Sequence, residues 1–314
     1  MSKVRVCFLG TPEFAVVSLE RLLADDHYEI VGVVTQPDRP SGRKLQLTPS
    51  PVKVLAEKHG LPVITPESLR KDAAAVETIL SWKAEVAVVV AFGQILTQSF
   101  LDSFRYGCVN VHGSILPRWR GAAPIQRAIE AGDAETGVTL QKMVKQLDAG
   151  DIIGIRRVPL NDTITALELH DQLADLGADL LHVELMDYVR GNLAPIPQDE
   201  SLVTVAPKID KTESLIDWNL SASLISGKAR GFLYGPGTFT LHKGKKLKLH
   251  RVRANGDLKG TPGKVLSISA DHFTVGCGEG ALEIYEIQPE SKSKMMAKDF
   301  LTGYQLQTGE QLGV

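Results

Sequence analysis

The first 190 residues alternate short apolar runs with segments of helical periodicity, and this alternation restricts the possible folds more than any other feature. The run "KVRVCFLG" ends at Gly10. It is followed by "TPEFAVVSLERLLADD", in which Phe14, Val17 and Leu22 recur at helical spacing and Pro12 suits a first turn. "YEIVGVVT" and "AEVAVVVAF" are further apolar runs, and the helical segment "SPVKVLAEKHG" lies between them. Strands that alternate with helices predict an α/β domain whose parallel sheet is covered on both faces.

The Gly-rich loops that bind cofactor phosphates are missing from this part of the sequence. The turn after the first predicted strand reads "GTPEFA", so Gly10 stands without the second and third glycines of GxGxxG. Those glycines let the backbone approach a pyrophosphate and let the helix pack on the strand. No GxxxxGK[ST] sequence occurs either. We therefore expect neither a nicotinamide nor a flavin cofactor.

The composition and the hydrophobic pattern of the sequence change near residue 200. The stretch "GNLAPIPQDESL" is rich in Pro, Gly and polar residues, as is typical of a linker. Beyond it, "GPGTFTLHKGKKLKLHRVRA" and "GTPGKVLSISADHFTVGCGEGALEIYEIQPE" show short alternating strands separated by Gly-containing turns. This pattern is typical of a small barrel or sandwich of ~100 residues. We predict a first domain over residues 1–190, a linker over 191–207 and a β domain over 208–314.

The two parts of the chain carry net charge of opposite sign. Residues 1–207 contain 20 Lys and Arg against 26 Asp and Glu, whereas residues 208–314 contain 15 against 11. Between Trp218 and Gly256 there are eight Lys or Arg and no acidic residue. The lysines of "HKGKKLKLHRVR" fit a solvated strand-turn-strand, and they equally fit a surface that faces nucleic acid phosphates.

Cysteine usage and hydropathy indicate the compartment. Cys7, Cys108 and Cys277 are too few and too scattered for a disulfide framework, and no Cys/His spacing suggests a metal site. The N-terminus leads directly into an apolar run containing Arg5, unlike a signal peptide. No apolar run approaches the ~20 residues of a membrane span. We expect a cytoplasmic protein without a membrane partner and, since no heptads or apolar stripe are evident, a monomer.

The stretch "VNVHGSILPRWRGAAPIQRAI", residues 109–129, ends a predicted strand with two polar side chains. By strand alternation Asn110 and His112 project to one side, and Val109 and Val111 to the other. In open α/β sheets, ligands bind in the crevice beyond the carboxyl ends of the strands, and this pair lies at such an end. The structural alternative is an Asn that caps the next turn and a His bonded to the backbone.

Asp148, in "LDAGDII", lies between a hydrophobic run and a Gly-containing turn. At such a position the Asp side chain usually hydrogen-bonds to the backbone of the turn. Taken with Asn110 and His112, however, it completes the set of groups that acyl transfer to an amine requires. These are a donor for the oxyanion, a proton acceptor, and an anion that orients or charges the imidazole. Cys108 lies on the same side of the strand, but its position in an apolar run predicts a small core residue rather than a nucleophile.

These motifs resemble those of a known enzyme family. "VNVHGSILPRWRGAAPIQRAI", with Asp148 of "QLDAGDI" 36 residues after His112, is similar to the N10-formyltetrahydrofolate-dependent formyltransferases. "GTPEFAVVSLERL", "VVTQPDRPSGRKLQLTPSPVK" and "VAFGQIL" resemble the branch of the methionyl-tRNA formyltransferases. The likeness runs from Gly10 to about Pro159, and the basic C-terminal region also fits. Ile115 replaces the common Leu of "SLLP", a change that conserves side-chain volume.

The resemblance implies a Rossmann-like, mostly parallel sheet domain followed by an OB-like β-barrel that binds tRNA. It implies a bacterial-type enzyme that transfers a formyl group from 10-formyltetrahydrofolate, without a metal, to the α-amino group of initiator methionyl-tRNA for translation initiation. The implied catalytic residues are Asn110, His112 and Asp148. The implied folate contacts are Phe92, Gly93, Gln94, Ile95, Ser114, Ile115, Leu116 and Pro117. The implied tRNA contacts are Arg39, Arg43, Lys44, Lys243, Lys245, Lys246 and Lys248.

Two other functions remain compatible with the sequence. A formyltransferase that acts on a nucleotide-linked amino sugar would share the catalytic trio and an OB-like appendage. It would need neither the run without acidic residues from Trp218 to Gly256 nor the Arg-rich loop "TQPDRPSGRK", which contains Arg39 and Arg43. A folate-binding module fused to a basic RNA-binding barrel would need no catalysis, and hence not all three reactive positions. The sequence leaves open whether His112 or Asp148 is the main proton acceptor, and how initiator tRNA is distinguished from elongator tRNA.

Overall fold

The computed structural model describes residues 3–41 and 46–313, which fall into two compact units. Each unit is assembled from discontinuous segments. The first comprises Met1–Gly121, Gly137–Val158 and His170–Val205, and the second comprises Ala122–Thr136, Pro159–Leu169 and Ala206–Val314. Two segments that precede residue 190 therefore belong to the second unit, although sequence continuity had assigned them to the first domain.

The elements before residue 190 alternate much as the sequence predicts. In chain order they are β1 (Val4–Gly10), α1 (Glu13–Leu23), β2 (Tyr28–Val34), β3 (Arg39–Ser41), β4 (Gln46–Thr48), α2 (Pro51–Lys58), β5 (Val63–Ile64), α3 (Ala73–Ser81), β6 (Val86–Val90), α4 (Gln98–Leu101), β7 (Cys108–His112), β8 (Arg120–Gly121), α5 (Pro124–Ala131), β9 (Glu135–Lys142), β10 (Ile152–Pro159) and α6 (Ala166–Val189).

The first unit is built on a seven-stranded sheet in the order β10-β9-β7-β6-β1-β2-β5. β1 pairs in parallel with β2 and β6, β6 with β7, and β2 with β5, whereas β7 and β9 are antiparallel. The central strands β1 and β6 are almost entirely buried. Their continuous apolar sequences follow from this, because helices cover both faces of a parallel sheet. The predicted mostly parallel, Rossmann-like sheet is confirmed.

The segment containing Arg39 differs from the prediction. It was expected to be a loop, but β3 and β4 form a short antiparallel hairpin with Arg39 opposite Thr48. Strands of three residues are too short to show an alternating pattern, and Pro40 within β3 is compatible only with an edge strand. The predicted tRNA contacts Arg43 and Lys44 lie outside the described residues.

The Pro-rich segment predicted as a linker is bonded to the first unit over most of its length. Ile152 and Ile196 exchange two backbone hydrogen bonds of 2.8 Å, and the N–H of Arg120 donates to the carbonyl of Thr204 at 2.9 Å. Its composition resembles that of a spacer because Pro and polar residues are frequent in both settings. The hydrogen bonds, which are long-range, are not visible in the sequence.

After α6 come a 3-10 turn at Glu200–Leu202, which belongs to the first unit, and β11 (Val205–Ala206), which pairs with β8 in a separate two-stranded sheet. The remaining elements form an antiparallel β domain within the second unit. They are a 3-10 turn at Lys211–Ser214, α7 (Ala222–Gly231), β12 (Thr238–His242), β13 (Lys245–Asn255), β14 (Val265–Ile268), β15 (Phe273–Gly276), β16 (Ala281–Pro289), β17 (Met295–Met296) and α8 (Ala297–Tyr304). The main sheet has the order β12-β13-β16-β15-β14, and β17 pairs with β16. Its buried face packs around Phe273 and Phe300. The predicted C-terminal antiparallel β domain is confirmed.

Glycines allow α7 to pack closely against α5 within this unit. A Cβ at Gly227 would lie 2.8 Å from the carbonyl oxygens of Ile129 and Glu130, and a Cβ at Gly231 would lie 2.8 Å from that of Gln126. Backbone carbonyls cannot rotate away as a flexible side chain can. The two glycines, four residues apart, therefore lie on one face of α7 and set the distance between the helices.

No helix in the described part of the chain combines the length and the apolar character needed to cross a membrane.

We predict that Gly227→Ala lowers the free energy of unfolding by about 1–3 kcal/mol, because the added methyl group must displace the α5 backbone. Gly303→Ala in α8 is the matched control, since no atom lies within 4 Å of its Cβ position. That control should be neutral or slightly stabilising, as Ala is the better helix former. Chemical denaturation of both variants makes the comparison, and equal stabilities would contradict this account of the α5–α7 packing.

Candidate active site

The candidate site lies at the carboxyl edge of the parallel strands. From β1 the chain continues to β2 and β5 on one side, and then returns to β6 on the other side of β1. In open α/β sheets such a reversal of strand order marks the ligand-binding crevice, which here corresponds to the region beyond the ends of β1 and β6. β7 is the next strand along this edge, and it ends at His112.

β7 carries Asn110 and His112 on the same face, as alternation predicts. His112 is buried, whereas Asn110 is partly exposed. The antiparallel register places Gln141 of β9 opposite Asn110, and Thr139 opposite His112. Directly opposed residues in a pair of strands project from the same face, so β9 supplies two more polar side chains to this side of the sheet.

Hydrogen bonding fixes the imidazole of His112. Its Nε2 lies 2.9 Å from the carbonyl oxygen of Trp119. A carbonyl oxygen can only accept, so Nε2 carries the proton and Nδ1 is the basic nitrogen of the neutral ring. Nδ1 in turn lies 3.7 Å from Oδ2 of Asp148. An oxygen acceptor therefore lies beside each ring nitrogen of His112.

The carboxylate of Asp148 is also held in place. The backbone N–H of Gly121 donates to Oδ2 at 2.9 Å, and the side-chain amide of Gln141 donates to Oδ1 at 3.1 Å. Asp148 has φ of 49°, in the left-handed region that is uncommon for residues other than Gly. A Cβ at Gly150 would overlap with the carbonyl oxygen of Lys142, so the turn after Asp148 requires glycine there. The structure thus brings His112 and Asp148 into contact and places Asn110 beside Gln141, which binds the carboxylate.

Cys108 does not supply a nucleophile to this site. The residue is buried at the start of β7, and burial raises the pKa of its thiol to about 12. It is therefore protonated at neutral pH, and the thiolate is the reactive form. What the site offers is an amide, an imidazole and a carboxylate, which suit oxyanion stabilisation and proton transfer.

Hydrogen bonds to the Thr139 side chain hold the backbone of the segment Ser114 to Pro117 in place. The Thr139 hydroxyl donates to the carbonyl of Ser114 at 2.7 Å and accepts from the N–H of Leu116 at 3.0 Å. Ser114 and Leu116 are buried, whereas Ile115 and Pro117 are partly exposed. Of the predicted folate contacts in this segment, Ile115 and Pro117 thus have side chains that a ligand can reach.

The second predicted folate segment, residues 92–95, follows β6 at the crevice. The carbonyl of Phe92 accepts from Thr11 Oγ1 and from Gln36 Nε2, both at 3.1 Å, which links the ends of neighbouring strands. The side chain of Gln94 is bonded to the backbone of Pro66 and Leu69. Phe92 is buried, Gly93 is exposed and Ile95 is 74% exposed, an unusual position for a large apolar side chain.

The predicted tRNA contacts in the described residues are exposed. Arg39 lies 3.8 Å from Glu67, and Lys243 lies 3.3 Å from Glu310. Lys246 stands 4.7 Å above the ring of Phe239. In β13, Lys246 and Lys248 project outwards while Leu247 and Leu249 face the core. The lysines belong to the second unit and are not part of the cluster around His112. The described residues contain no cluster of three or more His, Cys, Asp or Glu side chains suited to a metal.

Sequence reasoning missed Gln141 and Gln198, both of which contact the Asp148 turn. Gln141 lies in β9, and its contact with Asp148 only becomes evident once the β7–β9 register is known. Gln198 lies in the Pro-rich segment 191–207 and donates to the carbonyl oxygens of Asp148 and Gly150. No periodicity or motif marks it.

Comparisons with known proteins give consistent matches. A family model described as formyl transferase matches residues 3–185, and one described as formyl transferase, C-terminal domain, matches residues 208–305. A methionyl-tRNA formyltransferase from Bdellovibrio bacteriovorus is 68% identical over 318 residues, covering all of both chains. Among solved structures, WlaRD, a sugar 3N-formyl transferase, is 16% identical with a TM-score of 0.68, covering 93% of this chain and 100% of its own. HypX from Aquifex aeolicus in complex with tetrahydrofolic acid is 20% identical with a TM-score of 0.61, covering 96% of this chain and 47% of its own.

We predict that Thr139→Val lowers the free energy of unfolding by about 1–3 kcal/mol, because it leaves the buried N–H of Leu116 and the carbonyl of Ser114 without their partner. Thr78→Val is the control: the Thr78 hydroxyl also donates to a carbonyl, that of Ala74, but on the exposed surface of α3. The control should change stability by less than about 0.5 kcal/mol. Thermal or urea unfolding tests this, and an unchanged Thr139→Val protein would contradict the role given to the hydroxyl.

Proposed function

This chain belongs to the formyl transferase family, and we infer that it transfers the formyl group of 10-formyltetrahydrofolate to the α-amino group of methionyl-tRNA, giving N-formylmethionyl-tRNA. The observation that carries this inference is the 68% identity to a methionyl-tRNA formyltransferase over the full length of both chains. The site geometry supports it, since His112 and Asp148 meet beside the crevice where a ligand of an α/β sheet binds. The formylated initiator is used in translation initiation.

The folate donor is proposed to occupy the crevice between residues 92–95 and 114–117. The exposed side chain of Ile95 and the partly exposed Ile115 and Pro117 provide apolar surface for a planar ring. Behind them, the backbone groups of buried Phe92, Ser114 and Leu116 are hydrogen-bonded to the hydroxyls of Thr11 and Thr139, and these bonds fix the shape of the two segments. The family relation and the tetrahydrofolic acid in the HypX structure support the identity of this donor.

In the proposed mechanism the amine attacks the formyl carbon directly. An α-amine has a pKa of ~7.7–8.0, and the neighbouring ester lowers it further, so a large neutral fraction exists at pH 7. Attack forms the C–N bond, places negative charge on the formyl oxygen and positive charge on the attacking nitrogen. The Asn110 amide donates to that oxygen. Loss of a proton from the nitrogen and expulsion of N10, which needs a proton, complete the transfer.

His112 and Asp148 are proposed to carry that proton from one nitrogen to the other. Because Nε2 donates to Trp119, Nδ1 is the nitrogen that can accept, and it stands beside the carboxylate. The Asp148 charge stabilises the imidazolium that forms. The ring can then return the proton to N10 as the C–N10 bond breaks, so that atoms and charge balance over the reaction.

The alternatives from the sequence receive less support. WlaRD shares the fold, but at 16% identity the likeness extends to the fold alone. A non-catalytic binding protein would not need a partly buried carboxylate that accepts two hydrogen bonds beside an imidazole. We propose that the enzyme acts as a monomer in the cytoplasm, a setting consistent with its three buried free cysteines.

The acceptor is proposed to be held partly by the second unit through Lys243, Lys245, Lys246 and Lys248, with Arg39, Arg43 and Lys44 contributing from the first. Lys246 and Lys248 project from the same face of β13, about 6–7 Å apart along the strand, and so present two neighbouring positive charges to the acceptor. His250 follows on that face, and burial lowers the pKa of its ring, so it stays neutral at pH 7 and leaves the charge to the lysines.

We predict that Asn110→Ala and His112→Ala each lower kcat by about 100- to 1000-fold with normal folding, because each removes a group that acts in the transition state. Cys108→Ala is the control from the same strand and should retain kcat within about twofold. The assay follows labelled formyl transfer to methionyl-tRNA. Turnover near the wild-type value in either of the first two variants would refute the site.

Acceptor identity is tested by competition in the same assay. Charged initiator tRNA and a nucleotide-linked amino sugar are supplied together with the folate donor. We expect label on the tRNA alone. Label on the sugar would support the alternative acceptor, and label on neither would refute formyl transfer.

We predict that the pair Lys246→Ala and Lys248→Ala raises KM for methionyl-tRNA with little change in kcat. Loss of two phosphate contacts should also reduce the slope of log KM against log salt by about two. Lys58→Ala with Lys71→Ala removes the same charge from exposed positions in the first unit, and should leave the slope unchanged. A wild-type KM that is independent of salt would count against this interface.

A further inference from the structure

We propose that Gln198 is a positioning residue for Asp148, so that the strap (residues 196–204) contributes to the active site through Gln198, Glu200 and Thr204 and is more than a spacer between domains. This inference rests on the proposed function and adds to it a residue that neither the sequence motifs nor the family match singles out. The side-chain amide of Gln198 donates two hydrogen bonds, to the carbonyl oxygen of Asp148 at 2.8 Å and to that of Gly150 at 2.7 Å. Both acceptors belong to the catalytic turn.

These two hydrogen bonds support a turn whose backbone conformation is unfavourable on its own. Asp148 has φ of 49°, a backbone conformation that is unfavourable for a residue with a Cβ and persists only when the surrounding structure holds it. The side-chain amide nitrogen of Gln198 carries two N–H groups. Together they bond the carbonyl oxygens of Asp148 and Gly150, which lie two residues apart in the turn. Gln198 therefore fixes the direction in which the Asp148 side chain leaves the backbone.

Arg120 fixes Gln198 in turn. Two N–H groups of its guanidinium donate to Oε1 of Gln198 at 3.0 and 2.8 Å. This contact sets the orientation of the amide, because Oε1 must face the guanidinium and Nε2 must then face the carbonyls. The Arg120 side chain is almost fully buried, and its charge is balanced by Glu200 of the strap at 2.7 Å. A buried guanidinium is costly unless its donors are paired, so the arrangement is strongly determined.

Arg120 also adjoins the residues that bind the catalytic groups. Its neighbours in sequence are Trp119, whose carbonyl accepts from His112, and Gly121, whose N–H donates to Asp148. The strap holds this stretch at two further points, since Thr204 accepts from the N–H of Trp119 through its hydroxyl and from that of Arg120 through its carbonyl. One strap thus positions the backbone partners of both the imidazole and the carboxylate.

The test measures kcat and KM for Gln198→Glu and Gln198→Leu. Gln198→Glu keeps an acceptor for Arg120 but has no donors for the turn, whereas Gln198→Leu loses both functions at similar volume. We expect kcat to fall by about 10- to 100-fold in each, since a misplacement of about 1 Å is enough for such a loss, with KM for both substrates within about threefold. If Gln198→Leu fails to fold, Gln198→Glu still decides the question.

A second readout separates positioning from stability. In an Asp148→Ala background the same Gln198 substitutions should cost less than about twofold, because there is no carboxylate left to position. Asp199→Ala is the matched control, since it removes the cap of the Glu200–Leu202 turn within the strap without touching Arg120 or the catalytic turn. It should leave kcat within about twofold.

The outcomes are distinguishable. Gln198→Glu with wild-type kcat, or a full loss that persists in the Asp148→Ala background, would overturn the positioning role. An equal loss in Asp199→Ala would assign the effect to strap stability and would also overturn it. A wild-type protein that fails to formylate methionyl-tRNA would instead refute the proposed function on which the inference rests.

Discussion

The antiparallel pairing of β9 with β7 is the constraint on which the proposed active site depends. It places Gln141 opposite Asn110 and Thr139 opposite His112, and it returns the chain so that Asp148 approaches the ring of His112. Because side chains alternate along a strand, a shift of one residue would turn Gln141 and Thr139 to the other face of the sheet. The carboxylate would lose a donor, and the segment after His112 would lose the hydroxyl that shapes it.

The parallel strands and this antiparallel strand serve different purposes. β1, β6 and β7 end at one edge, where the reversal of strand order opens a crevice, and the bonds from Thr11 and Gln36 to Phe92 hold that edge together. β9 and the turn that follows bring charge to the crevice. Catalysis by a preorganised site requires donors and charges that do not move during the reaction, and the two sets of contacts together provide this rigidity.

The local pattern of the sequence was enough to predict the central strands and several side-chain orientations. Continuous apolar runs predicted the central strands, and alternation predicted that Asn110 and His112 share a face, since both depend only on neighbouring residues. The outward position of Lys246 and Lys248 follows from the same rule. Recognition of Asp148 as a member of the site needed chemical reasoning over 36 residues and a resemblance to a family.

The features that could not be predicted depend on which distant strands and segments contact one another. Gln141 is an ordinary strand residue until its partner strand is known, and Gln198 lies in a segment whose composition is typical of a linker. The β3–β4 hairpin was missed because three-residue strands carry too little pattern. The division of each unit into discontinuous segments was missed for the same reason. α5 packs on α7 through Gly227 and Gly231, which lie about a hundred residues after α5 in the sequence.

In the proposed mechanism His112 and Asp148 act as one unit on a single proton. Single-turnover formyl transfer to methionyl-tRNA, measured for His112→Ala, Asp148→Ala and the double variant, tests it most directly. If the two side chains share one step, the double variant will be within about threefold of the slower single variant, because the second loss removes nothing further. Losses that multiply in the double variant would show that the residues act independently, and would contradict the account.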